Sequence, residues 1–267
     1  MKTPFLLLFF SLLLTSAAAE RVISLSPNLT EAICLIGGKS LLAGRTDSCT
    51  TPSSVTGIPS VGKFLSPSPE RIAALAPTLV VSTPQPGRGT AQLLASLKIR
   101  FVELPDRTLE DYPALLRRLG RLLNLPAGER EALLAEKRLA ALRRDAATVP
   151  ENEKISVLFL AGIDPAVVAG RRSFIHQMIE LAGGRNLAGN LNRAYVTVSP
   201  EWIAEQQPDL VLIAGNASVL PEWLRALPVR PLPDPDLVCR LGPRLFSGVE
   251  RLKNILKNTS KGNGSCH

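Results

Sequence analysis

The sequence is poor in the groups from which most catalytic and metal sites are built. Its two histidines, His176 and His267, are too few for a multi-histidine metal site. No G-x-S-x-G segment is present, so a serine-hydrolase triad has no support either. The four cysteines, Cys34, Cys49, Cys239 and Cys266, contain no C-x-x-C pair, which removes zinc-ribbon and thioredoxin readings. In an oxidising compartment they allow three disulfide connectivities, and a chain of 267 residues depends on none of them. The GGKS stretch at Gly37 lacks the glycine that a phosphate loop needs where Ile33 stands, and it closes a helix rather than opening one. Aromatic residues are only 4% of the chain, so each one placed in a cleft carries weight.

What is present fits an exported globular protein. Hydrophobic residues make up 45% and charged residues 20%, which indicates neither disorder nor a polytopic membrane protein. The start, MKTPFLLLFFSLLLTSAAAE, has one lysine, an apolar run from Phe5 to Leu14 and small residues before Glu20. This is the pattern of a secretory signal peptide over residues 1–19, cleaved near Ala19. No cysteine stands at the cleavage point to carry a lipid anchor. The formal charge of +8 raises a nucleic-acid hypothesis, but export argues against it. Much of the positive charge falls between Arg107 and Arg144 at helical spacing, as on a solvated helix face.

Strands and helices alternate from RVISL onward, which predicts an α/β fold of parallel sheets covered by helices. Asn28 and Glu31 are spaced as a capping box for the first helix. The strands cease after about Thr108, and an Ala-, Leu-, Glu- and Arg-rich stretch predicts a long helix before strands resume at KISVLFLAG. The expected organisation is an N-terminal lobe over 20–124, a linking helix over 125–150 and a C-terminal lobe over 151–267. One segment occurs twice. SPERIAALAPTLV from Ser68 and SPEWIAEQQPDLV from Ser199 match at eight of thirteen positions at an offset of 131. In each copy Ser caps a helix, Pro takes its first position, Glu lies in the first turn and a later Pro ends it before a buried strand.

These motifs, with GRTDSCTTP, GRRSFIHQMIELAGGRNL and RLGPRLFSGVERL, resemble the periplasmic binding proteins of ABC importers whose two Rossmann-like lobes are joined by a rigid α-helix (class III). Among these they are most similar to the cobalamin-binding members. The resemblance implies a monomeric, non-enzymatic receptor in the periplasm that carries a corrinoid, cobalamin or a relative, to a dimeric permease of the inner membrane. It implies docking through Glu70 and Glu201, one on each lobe, and a ligand cleft that includes Ser48, Phe64, Thr83, Tyr195, Asp236 and Arg240. Flat apolar side chains such as Phe64 and Tyr195 suit a macrocycle, and Asp236 with Arg240 can fix its polar edge. Compared with the cobalamin binders, this chain has Ser48, Thr51 and Thr83 where aromatics are expected. Haem and ferric siderophores therefore stay open as ligands, with an exported α/β enzyme as the alternative of another class.

Overall fold

The computed structural model describes residues 20–84, 90–215 and 220–263. The signal segment expected over 1–19, Cys266 and His267 lie outside them. β1 (Val22–Ser24) leads into α1 (Pro27–Leu35) and β2 (Leu42–Arg45). A small hairpin, β3 (Gly62–Lys63) with β4 (Ser66–Pro67), precedes α2 (Pro69–Ala74). Next come β5 (Leu79–Ser82), α3 (Thr90–Ser96) and β6 (Phe101–Glu103), completing a parallel sheet of order β2-β1-β5-β6. β1 and β5 are buried at every position, so up to their closing Ser24 and Ser82 they are apolar without alternation.

Two antiparallel helices then replace the strands, α4 (Asp111–Leu122) and α5 (Ala127–Ala147). They meet backbone to backbone at Gly120 and Gly128. A Cβ on Gly128 would lie 2.6 Å from the Gly120 Cα, so the crossing requires hydrogen there. α5 turns Ala132, Ala135 and Leu139 inward and leaves most of its charged residues exposed.

The second sheet begins with β7 (Ser156–Ile163) and β8 (Ala166–Ala169), followed by α6 (Phe174–Leu181), β9 (Arg185–Asn186) and β10 (Tyr195–Thr197). α7 (Pro200–Glu205), β11 (Leu210–Ile213), α8 (Glu222–Arg225), β12 (Val229–Pro231), α9 (Asp236–Cys239) and α10 (Leu245–Asn263) complete the chain. Its strand order is β10-β8-β7-β11-β12, with β9 pairing the start of β7. β7, β9, β11 and β12 are parallel, as the alternation predicts, but β8 and β10 join antiparallel. The reason is local: β7 returns as β8 through Asp164-Pro165 alone, and a two-residue connection can only make a hairpin.

One hydrophobic cluster runs through both sheets, from Val22, Leu29 and Leu79 through Leu116 and Leu139 to Phe159, Ile175, Leu212 and Leu252. Smaller clusters cover the outer face of each sheet. Polar bonds add to this junction. Arg244 donates from Nε and Nη2 to the Glu31 carboxylate at 3.0 and 2.9 Å, and Asn28 Nδ2 donates to the Leu241 carbonyl at 3.0 Å. The capping box expected from Asn28 and Glu31 is therefore not formed. Ser26 is the N-cap, without a side-chain capping bond, so Asn28 stands inside the helix, and both predicted capping side chains cross to the second half instead.

Candidate functional site

The repeated segments fold alike. Ser68 and Ser199 each accept the backbone N–H three residues on, from Arg71 and Trp202, both at 3.2 Å. Pro69 and Pro200 open α2 and α7, and Ile72 and Ile203 are buried beneath them. The likeness outlasts the identity of residues. Ala76 and Gln207, unlike in type, both take left-handed backbone, with φ of 42° and 48°, where the helix must turn into its strand. Thr78 Oγ1 accepts the Arg21 amide at 2.9 Å, while Asp209 Oδ2 accepts the Ser156 amide at 2.8 Å, so each copy latches onto the start of its sheet. Glu70 and Glu201 stand exposed in the first turns. Their carboxyl pKa values are lowered, that of Glu70 chiefly by the Ser68 hydroxyl donating at 2.7 Å and that of Glu201 chiefly by its own backbone N–H. Both are ionised at neutral pH and free to meet cations.

A cleft of about 750 Å³ opens between the two halves. Phe64, Leu65, Thr83, Pro84, Glu103, Asp106 and Arg107 form one wall; Ser173, Phe174, Ala194, Tyr195 and Cys239 form the other. The repeat places the two predicted aromatics. Phe64 sits in the β3–β4 turn and Tyr195 opens β10, each six residues before its glutamate. Tyr195 is 46% exposed as a residue, yet desolvation, with Cys239 and Asp106 adding to it, pushes its pKa up to about 12. Thr83 is only 5% exposed, and its hydroxyl lies 3.1 Å from Ser26 Oγ, which also accepts the Thr83 amide at 2.9 Å. It shapes the wall more than it offers a free donor.

The remaining predicted residues stand outside this lining. Asp236 and Arg240 pair at 2.9 Å on either side of Cys239, and Ser48 belongs to a loop closed by Thr46 and Cys49, whose Oγ1 and Sγ are 3.2 Å apart. Cys34, Cys49 and Cys239 are all free thiols, and burial foremost, then Asp236, raises that of Cys239 to about 11. His176 is half-buried on α6, 3.3 Å from Asn186 Nδ2, with its pKa lowered by burial. No group of metal ligands occurs among the described residues, and no described helix is long and apolar enough to cross a membrane.

Phe174, Cys239 and Asp106 line the cleft without having been expected there. Asp106 is the most informative of the three. It follows β6 in the loop ELPDR, and strand-end loops are where binding groups gather. Burial foremost, then the nearby Asp111 carboxylate, raises its pKa to about 6.

Comparison with known proteins agrees with this fold. Residues 22–228 match the family described as periplasmic binding protein. A vitamin B12-binding protein of Pectobacterium carotovorum subsp. carotovorum (strain PC1) is 30% identical over 96% of this chain and 95% of its own length. Among solved structures, the apo periplasmic haem-binding protein of Roseiflexus sp. RS-1 superposes with a TM-score of 0.77 at 26% identity, covering 91% of this chain and 99% of the other. The periplasmic vitamin B12 binding protein of Vibrio cholerae gives a TM-score of 0.76, with 91% and 98% covered. At 24% identity it supports the fold alone.

Proposed function

The chain belongs to the periplasmic binding protein family, and from that membership we propose that it captures a corrinoid, cobalamin or a relative, and passes it to a dimeric ABC permease. Family and fold are those of substrate-binding proteins rather than enzymes. The observation that carries the ligand reading is the cleft of about 750 Å³, whose facing walls present Phe64 and Tyr195 at corresponding points of the repeat. Two apolar rings from opposite sides suit a flat macrocycle. The vitamin B12-binding relative spans nearly the whole chain and favours a corrinoid. The apolar, lysine-led start supports export to the periplasm, where a monomer would shuttle between cleft-bound ligand and membrane. In this reading Glu70 and Glu201 meet arginines on the two permease subunits, one pseudo-twofold surface against a true twofold.

Haem is the second reading, because Tyr195 places a phenol oxygen in the cleft and oxygen ligands of this kind hold haem iron. Against it, no histidine or methionine stands among the described residues lining the cleft. Purification of the protein from its own periplasm, followed by absorption spectroscopy and calorimetric titration with cyanocobalamin and haemin, tests the choice. Corrinoid bands and saturable cyanocobalamin binding are expected. A Soret band with no response to cyanocobalamin would replace the corrinoid by haem.

A further inference from the structure

The wall of the cleft carries an acid that neither the repeated segments nor their capping chemistry accounts for. Asp106 lies in the loop between β6 and α4, and among the described residues no cation pairs with it at ion-pair distance. Its Oδ2 is steadied from behind by Asn28 Nδ2 at 3.4 Å, and Asn28, 4% exposed, is itself anchored at 3.0 Å to the Leu241 carbonyl across the junction. The carboxylate is thus placed by a buried side chain and presented to the space between the walls.

We propose that Asp106 selects the ligand: it accepts a hydrogen bond from an edge that bears N–H groups, such as a carboxamide, and turns away an edge that bears carboxylates. This rests on the receptor reading above and specifies which ligand edge the cleft accepts. Corrinoids carry peripheral carboxamides, whereas haem carries propionates, so the one acid would discriminate between the two macrocycles.

The surroundings support the assignment. Among the described residues lining the cleft, Glu103 and Asp106 share their wall with one cation, Arg107. Asp111, on α4, presses on Asp106 as a like charge, although its Oδ2 is engaged by the Arg107 and Thr108 amides, both at 2.8 Å. Arg107 and Asn28 work the other way, and Tyr195 faces the acid from the opposite wall. The balance leaves Asp106 titrating at about 6 in the unliganded protein. A ligand that donates N–H groups favours the ionised form and lowers this pKa on binding. Its affinity is then full above about pH 6 and declines as pH falls through that value. For a carboxylate edge the sign is reversed.

The test is to measure Kd for cyanocobalamin and for haemin between pH 5 and 8 on the wild type, Asp106→Asn and Asp106→Ala. Melting curves identify any variant that fails to fold. Asn retains one carbonyl acceptor and Ala retains none. At pH 7.5 both variants should weaken cyanocobalamin, Ala by about tenfold, the scale of a charge-assisted hydrogen bond, and both should strengthen haemin. The ligand's own titration is common to all three proteins, so the difference in pH profile belongs to Asp106. Identical Kd values and profiles in wild type and folded variants would overturn the assignment. If the wild type binds only haemin and the variants bind it more tightly, the selection stands and the corrinoid reading falls. If it binds neither, both fall.

Discussion

Replacing Arg244 by methionine should destabilise the protein by about 2–4 kcal/mol, because it strands a carboxylate at the junction of the two halves. Glu31 is 6% exposed and receives a forked pair of bonds at 2.9 and 3.0 Å, while the Arg244 side chain keeps 26% of its exposure. Two unit charges about 3 Å apart attract by roughly 5 kcal/mol at an effective dielectric near 20. Water reaching the arginine screens part of this, and the acid relaxes somewhat once alone, which gives the range stated. The double variant Glu31→Gln/Arg244→Met should recover much of the loss, since the orphaned charge and not the missing attraction is what costs. Urea denaturation of the wild type, both single variants and the double variant measures this directly. The wild type should also give nearly superimposable scattering profiles with and without ligand, because the buried cluster and polar bonds of the junction oppose hinge motion. A single variant within about 0.5 kcal/mol of wild type, the scale of an ordinary surface substitution, would refute the reasoning.

Two further outcomes follow from the cleft and the repeat. Tyr195→Ala and Phe64→Ala should each weaken ligand binding by about 1–3 kcal/mol through lost apolar contact, with folding intact, as read by calorimetry. Unchanged affinity in both would remove them from the site. Glu70→Ala and Glu201→Ala should leave ligand affinity alone and lower transport in cells, the double variant more than either, and lysine replacements more again. Normal uptake by the double alanine variant with a slightly lowered melting temperature would mean that the two acids serve only their helices.

Much of the architecture is legible because burial writes itself into composition. The continuous apolar runs of β1, β5, β7 and β11 could only be central strands, and the Ser-Pro-Glu openings fix α2 and α7 to the residue. The antiparallel edge was harder to see. β8 and β10 have four and three residues, and a four-residue AVVA offers no period to count. The failed capping box has another cause: the helix starts before Asn28, with Ser26 as its N-cap, and Glu31 and Asn28 bond partners more than two hundred positions away, which no local pattern can announce. Phe64 and Tyr195 could be found because they precede the repeats. Asp106 offered only its place in a strand-end loop, since its environment is made by α1, α4 and β10 together.

The cluster that passes through both sheets has a consequence for how the molecule holds together as matter rather than as a receptor. Two lobes hung on a helix would be separable, each able to melt or be expressed alone. Here a cut at the Asn124 connection would lay bare Leu116, Leu119 and Tyr112 on one piece and Ala132, Ala135 and Leu139 on the other, all of them 3% exposed or less in the whole chain. Surfaces of that kind aggregate instead of dissolving. The protein has the outline of two units on one shared core: its halves should lose their structure in a single transition, and neither should persist without the other.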